Sequence, residues 1–179
     1  MGRLGLTFFG ISLVELVFSI IFNTAIVMNL NGDNYTVGEV ILASGFMDIH
    51  ALLIDIIIIS TIIIFLTLGL ILYLVSKKKA LGEFTLAKFL LLIGLFLIIG
   101  AFFKMTFLVF LGKSEINTGT LPLFFHDAMF SQSITPLLGL VIWMSFIGIV
   151  CCFLIFGLIF GAVGLKWSLS LQEKMGDNK

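Results

Sequence analysis

Long apolar runs alternate with short polar segments along this chain. Four runs cover roughly residues 7–29, 50–75, 86–111 and 136–165. Each is long enough to cross the hydrocarbon core of a bilayer, which takes about 20 helical residues. A backbone in lipid must satisfy its own hydrogen bonds, so an unbroken run such as IIIISTIIIFLTLGLILYLV is predicted to be a helix rather than a barrel strand. The pattern predicts an all-α integral membrane protein, a four-transmembrane-helix bundle forming one domain over residues 1–179.

The composition supports this fold class. Apolar residues make up 60% of the 179 residues, charged residues make up 11%, and the formal net charge is zero. A soluble domain of this size cannot cover so much apolar surface. The sequence also lacks the basic stripe that nucleic-acid binding requires. The predicted partners are therefore the lipid bilayer and other membrane subunits or further copies of the chain, with no nucleic acid.

The distribution of basic residues predicts the orientation in the membrane. Lys and Arg concentrate before the first run, around the second connection and after the fourth run, at Arg3, Lys77, Lys78, Lys79, Lys88, Lys166, Lys174 and Lys179. The first and third connections carry mainly acidic residues, namely Asp33, Glu39, Asp48, Glu115 and Asp127. Since basic loops remain in the cytoplasm, both termini are predicted to be cytoplasmic, with 30–49 and 112–135 outside. The predicted location is the plasma membrane of a prokaryote.

The chain divides into two similar helical hairpins. The outer loops NGDNYTVG (31–38) and GKSEINTG (112–119) resemble each other, and each precedes one of the two histidines, His50 and His126. Such a repeat would have its axis along the membrane normal. Pro136 lacks an amide hydrogen, so two arrangements are open. Either it kinks a fourth helix that begins near Leu121, or 121–133 is a separate outer amphipathic helix.

Polar residues inside the predicted spans are candidates for a function or for helix association. Glu15 and Asn23 fall on one helical face of the first span, so this face is predicted to point into the bundle. It is either a proton path or a hydrogen-bonding contact between helices. Asp55 is a further ionisable residue in the second span. Lys104 is predicted either to reach the interface or to neutralise Asp55, Glu15 or a ligand carboxylate.

The two histidines are candidate iron ligands. Imidazole is a common ligand of transition metals and of haem iron. One histidine at the outer end of each of two helices, His50 and His126, would give an axial pair about a haem. Lys104 and Lys113 are the cations available for its propionates. Two alternatives stay open: interfacial side chains without a ligand, or a metal site that adds Asp48 and Asp127.

The stretches around these histidines resemble one bundle of the haem A synthase family. The matching segments are FMDIHALLIDIIII (46–59) and LPLFFHDAMFSQSI (121–134), and the resemblance spans roughly residues 46–140. It implies a four-helix bundle that holds haem through His50 and His126. Where the family has a glutamate and an arginine near the first histidine, this chain has Met47 and Ala51. Asp48 is then the candidate catalytic acid.

Two hypotheses about function follow. The first is a haem-binding membrane protein of the respiratory apparatus, either a b-type cytochrome or a haem A synthase-like oxidoreductase. The second is a non-catalytic accessory subunit of a larger membrane complex, without a cofactor of its own.

Overall fold

The computed structural model describes residues 2–42, 45–78, 82–118 and 123–176. The helices of this part of the chain are α1 (Gly2–Ala25), α2 (Val37–Leu42), α3 (Ile49–Lys78), α4 (Glu83–Gly112), α5 (Phe125–Ser131) and α6 (Pro136–Gly176). Its strands are β1 (Val27–Leu30), β2 (Asp33–Thr36), β3 (Glu115–Ile116) and β4 (Leu123–Phe124). The predictions that concern Lys79, Lys179, Leu121 and Pro122 lie outside the described residues.

Four helices of the described chain, α1, α3, α4 and α6, are long and apolar enough to cross a membrane. Their mean hydropathies run from 2.1 to 2.8. The prediction of a mainly helical membrane protein with four candidate spans is therefore confirmed. α6 has 41 residues, or about 60 Å at 1.5 Å per residue, so it is about twice as long as the hydrocarbon core is thick.

The four long helices pack in a ring. α1 packs against α3, α3 against α4, α4 against α6, and α6 against α1. The α1–α3 and α4–α6 contacts are the most extensive, while α1 and α6 touch least. Consequently α1 lies diagonally opposite α4, and α3 lies diagonally opposite α6.

Glycines allow α4 and α6 to approach closely. A Cβ atom on Gly157 would lie 3.0 Å from the carbonyl oxygen of Gly94 and 2.7 Å from a side-chain carbon of Ile98. Such distances leave no room for a side chain, so the two backbones are in direct contact here. Small residues serve this purpose in membranes because helix association there depends on van der Waals packing.

The strands and short helices lie at one end of the bundle, which we call the capped end. β1 and β2 form an antiparallel hairpin whose register pairs Leu30 with Asp33. The turn residues Asn31 and Gly32 have φ angles of 57° and 93°, and Asn-Gly is the preferred sequence for a two-residue turn that needs positive φ at both positions. β3 and β4 pair in the same antiparallel manner.

Backbone hydrogen bonds link the first and third connections to each other. The amide of Asn29 donates to the carbonyl of Gln132 at 2.8 Å, and the amide of Ile134 donates to the carbonyl of Val27 at 2.9 Å. The chain after α1 is thereby bonded to the chain before α6. On the opposite side, the Asn117 amide donates to the Phe46 carbonyl at 2.7 Å.

The segment before the fourth long helix forms a strand and a short helix rather than one helix over 121–133. Leu123 pairs with Ile116 in the β3–β4 ladder, and α5 then runs only from Phe125 to Ser131. α6 begins at Pro136. Proline suits the first position of a helix because the missing amide hydrogen has no partner there. Of the two arrangements open from the sequence, the structure shows a separate short helix before α6.

Candidate functional site

A salt bridge between two fully buried side chains lies inside the bundle. The Nζ atom of Lys104 in α4 contacts Oε1 of Glu15 in α1, and neither side chain has exposed surface. Glu15 lies ten residues before the end of α1 at Ala25, or about 15 Å along the helix axis. That depth is about half of a hydrocarbon core of about 30 Å. Each charge is therefore neutralised where an unpaired charge is most costly.

Aromatic rings from the other two long helices complete this layer. The ring centroids of Phe65 and Phe153 lie 5.8 and 5.7 Å from Nζ of Lys104, within the range of a cation–π interaction. The two rings contact each other edge to face, with centroids 4.8 Å apart. Each long helix thus contributes one residue to a central layer, which consists of Glu15, Phe65, Lys104 and Phe153.

The salt bridge decides between the roles that the sequence left open for Lys104. This side chain does not extend to the interface, and its carboxylate partner is Glu15 rather than Asp55. Beyond the salt bridge, neither side chain makes a hydrogen bond within the described part of the chain. The nearby Ser12 hydroxyl instead donates to the carbonyl of Phe8 at 3.1 Å. Lys104 is therefore not available to a haem propionate in this structure.

Asp55 and Asn23 form a second polar contact, on the α1–α3 side. Both side chains are partly buried, and the Asn23 side chain is a hydrogen-bonding neighbour of the Asp55 carboxyl. The Asn23 amide nitrogen also donates to the carbonyl of Ser19 at 3.1 Å. The predicted polar face of α1 therefore serves two partners: Glu15 contacts α4, and Asn23 contacts α3.

A cavity of about 570 Å³ opens beside α5 at the capped end. We call it the His126 cavity, and its lining residues are Leu108, Val109, Gly112, Lys113, Phe124, His126, Asp127 and Trp143. The His126 ring packs against Phe130 at 4.6 Å and against Trp143 at 6.0 Å between centroids. Its Nδ1 lies 3.6 Å from Oδ1 of Asp127, and both side chains are about half exposed. The cavity thus combines an accessible imidazole with a basic residue and aromatic walls.

The structure places His50 and Asp48 elsewhere. His50 is exposed in the first turn of α3 and is not among the residues that line the His126 cavity. Asp48 is also exposed and lines a different cavity of about 480 Å³ together with Glu115 and Asn117. α5 packs mainly on α4 and α6, whereas the most extensive partner of α3 is α1. Of the two predicted ligands, only His126 lines this cavity.

The alternative metal site receives no support from the described residues. Among them, no three His, Cys, Asp or Glu side chains come close enough together to hold a metal ion. His126 and Asp127 are neighbours, but His50 and Asp48 do not join them in one group. A set of four ligands from these residues is thus not assembled in this structure.

Two local sequence signals at the capped end identify structure that apolar periodicity does not. The Asn-Gly pair at 31–32 is a hairpin signal. Thr36 and Glu39 form a capping box at the start of α2: the Thr36 amide donates to Oε2 of Glu39 at 2.7 Å, and the Glu39 amide donates to the Thr36 hydroxyl at 3.2 Å. Both signals lie within the loop NGDNYTVG and its neighbour Glu39, so the hairpin and the helix start were readable from sequence.

Comparison with known proteins does not extend these observations. A scan against protein-family models, a search of curated proteins and a search of solved structures found no match to this chain.

Proposed function

We propose that this protein binds a planar, largely apolar molecule with acidic side groups in the His126 cavity, and that this molecule is haem. The observation that carries the proposal is that His126, Lys113 and Trp143 line one cavity. Imidazole is a common haem ligand, an ammonium group pairs with carboxylates, and aromatic side chains pack on flat rings. The resemblance of the sequence around His126 to the haem A synthase family supports the same ligand.

The residues of the cavity fit one axial ligand and one propionate contact. His126 would bind the iron, Lys113 would pair with a propionate, and Trp143 and Phe124 would contact the ring. Because His50 does not line this cavity, the proposal uses a single protein ligand, and ligation by both histidines stays a prediction from sequence. Haem iron would supply one-electron redox chemistry at the capped end. Asp48 lines another cavity, so it takes no part here.

We also infer that the capped end faces the outside of a prokaryotic plasma membrane and that the chain is a repeat of two hairpins. The basic residues predicted to be cytoplasmic flank the opposite end of the long helices. The order helix, hairpin, short helix, helix occurs as α1–β1–β2–α2–α3 and again as α4–β3–β4–α5–α6. This repeated order supports a duplicated unit. A haem in the His126 cavity would then lie near the outer surface.

Two porphyrins test the proposal, one with iron and one without. Protein purified in a mild detergent is titrated with haemin, followed by visible absorption, and with iron-free protoporphyrin, followed by its fluorescence. Wild type is expected to bind both. His126→Ala is expected to lose the absorption band of imidazole-bound iron but to keep the iron-free porphyrin. Lys113→Gln is expected to weaken binding of both, because both carry propionates.

His50→Ala is the matched control, since it removes an exposed histidine that does not line the cavity. Under the proposal its haemin spectrum equals that of wild type. If His50→Ala changes the spectrum as much as His126→Ala does, ligation by both histidines is correct and the single-ligand form is wrong. If neither porphyrin binds wild type, the haem proposal is wrong and the accessory-subunit hypothesis is favoured.

A further inference from the structure

A groove between α1 and α3 contains polar groups among apolar side chains. We call it the α1–α3 groove; its volume is about 400 Å³. Its lining residues are Leu16, Ser19, Ile20, Asn23, Thr24, Gly38, Leu42, Leu52, Asp55, Ile56 and Ile59. Most of these are apolar, and none is Lys, Arg or His. The groove therefore has an apolar body with a small polar region that includes a carboxyl group.

Asp55 requires an explanation at this position. It lies six residues after the start of α3 at Ile49, or about 9 Å along the helix. Its side chain is only partly buried, and its neighbours Leu52, Ile56 and Ile59 are apolar. An ionisable group in contact with hydrocarbon costs several kcal/mol unless it finds a partner. Glu15 has such a partner in Lys104, whereas no basic residue lines the groove of Asp55.

The polar side chains that line the groove with Asp55 are neutral. One hydrogen of the Asn23 amide nitrogen bonds the Ser19 carbonyl, and the Thr24 hydroxyl donates to the Ile20 carbonyl at 2.7 Å. The Asp55 carboxyl has an amide, Asn23, as its neighbour. An amide cannot neutralise a carboxylate. The lining of the groove therefore contains no cation that could neutralise the Asp55 carboxylate. A bound molecule could supply one.

The short helix α2 closes the groove at the capped end. Gly38 and Leu42 of α2 line it together with residues of α1 and α3. A Cβ atom on Gly38 would lie 2.8 Å from the carbonyl oxygen of Asn23, so α2 rests directly on α1 here. α2 therefore limits the space at this end of the groove. A small amphipathic molecule would have its head group below α2 and its apolar part along the groove.

We propose that the α1–α3 groove binds an amphipathic amine, with its protonated nitrogen at Asp55 and its alkyl chain between α1 and α3. The ammonium would donate to the Asp55 carboxylate and neutralise it, as Lys104 does for Glu15. The apolar walls, including Ile20 and Ile56, would contact the chain. This site is separate from the His126 cavity, because no residue lines both, so it stands or fails independently of the proposed haem site.

The test compares two probes with the same chain and different head groups. Thermal unfolding of the purified protein in a nonionic detergent is followed with added dodecylamine or dodecanol. At a concentration of about 100 times Kd, the amine is expected to raise the unfolding midpoint by about 5 °C more than the alcohol does. Asp55→Asn keeps the shape of the side chain and is expected to abolish this difference. Asp33→Asn, which changes an exposed acid in β2, is expected to retain it.

A second variant protects the test against an effect of Asp55→Asn on folding. Ile20→Trp keeps the carboxyl but fills the groove from an exposed position, and it is also expected to remove the amine-specific shift. Equal shifts by amine and alcohol, or a shift that persists in both groove variants, would overturn the proposal. So would a wild-type dimer that Asp55→Asn dissociates, since the occupant would then be a second copy of the chain.

Discussion

Glu15 and Lys104 form a salt bridge across the diagonal of the bundle, between two helices that are not neighbours in the ring. The contact joins the α1–α3 pair to the α4–α6 pair about halfway along α1. Phe65 and Phe153, one from each pair, enclose it. The two ionisable side chains of this layer are therefore packed against aromatic rings, and the stability contribution of each depends on the other.

Removal of one partner of the salt bridge should destabilise the fold strongly. Lys104→Met leaves Glu15 as an uncompensated buried charge, and Glu15→Leu does the same to Lys104. Each change is expected to lower the free energy of unfolding by about 3 kcal/mol or more. The loss is measured as a lower thermal midpoint in detergent. Glu15→Gln keeps a carbonyl oxygen for Lys104 but not the charge, so its midpoint should lie between those of wild type and Glu15→Leu.

The double variant Glu15→Leu/Lys104→Met should be more stable than either single variant. Two apolar side chains of similar size leave no buried charge, and such replacements are often neutral. Glu83→Gln, at an exposed position in the first turn of α4, is the control and should leave the midpoint unchanged. If the losses of the two single variants simply add in the double variant, the two side chains do not interact and the pairing described here is wrong.

Substitution by alanine should affect stability differently at two glycines of α6 that lie one turn apart. A Cβ atom on Gly157 would lie 3.0 Å from the Gly94 carbonyl oxygen, whereas one on Gly161 would meet nothing within 4 Å. Gly157→Ala is therefore expected to separate α4 from α6 and to lower the unfolding midpoint. Gly161→Ala should be neutral or stabilise by up to about 1 kcal/mol through helix propensity. Equal effects of the two changes would contradict the close contact.

The capping box of α2 should make the capped end sensitive to acid. The hydrogen bond from the Thr36 amide, and then that from its hydroxyl, lowers the pKa of Glu39 below the ordinary 4.5. A lowered folded-state pKa contributes stability that is present above pH 4.5 and is lost as the pH falls through the lower value. The protection of the Thr36 amide against hydrogen exchange, relative to the intrinsic exchange rate at each pH, should therefore fall in this acidic range.

Glu39→Gln should remove that pH dependence, because the amide does not titrate. Thr36→Val removes the hydroxyl contact to Glu39 but keeps the backbone donor. It should therefore weaken the pH dependence of the protection without abolishing it. An exchange rate whose pH profile is the same in wild type and Glu39→Gln would show that the capping box does not stabilise the start of α2.

The inferred orientation can be checked by cysteine accessibility. In a background with Cys151 and Cys152 replaced by serine, single cysteines are introduced at Asn34, Asn117 or Glu83. A membrane-impermeant thiol reagent added outside intact cells should modify the cysteines at 34 and 117 but spare the one at 83, until the membrane is permeabilised. The reverse pattern would place the capped end in the cytoplasm and would contradict the inference from the basic residues.

The pattern of apolar residues was sufficient to predict the four long helices, because a bilayer tolerates few alternatives for such runs. It also predicted that Glu15 and Asn23 share an inward face, since helical periodicity determines which residues lie together on one helix. It could not identify their partners. Periodicity describes a single helix, whereas the pairing of Lys104 with Glu15 rather than with Asp55 depends on which helix lies opposite and at what height.

The structure of the capped end likewise has a part that local sequence signals specify and a part that they do not. The Asn-Gly turn and the capping box are local signals, so they specify the β1–β2 hairpin and the start of α2 without reference to the rest of the chain. The bonds of Asn29 and Val27 to Gln132 and Ile134 join segments about a hundred residues apart. No local signal predicts that contact, nor that His50 does not line the His126 cavity. Contacts between distant segments follow from the packing of the helices that carry them, and no local pattern specifies that packing.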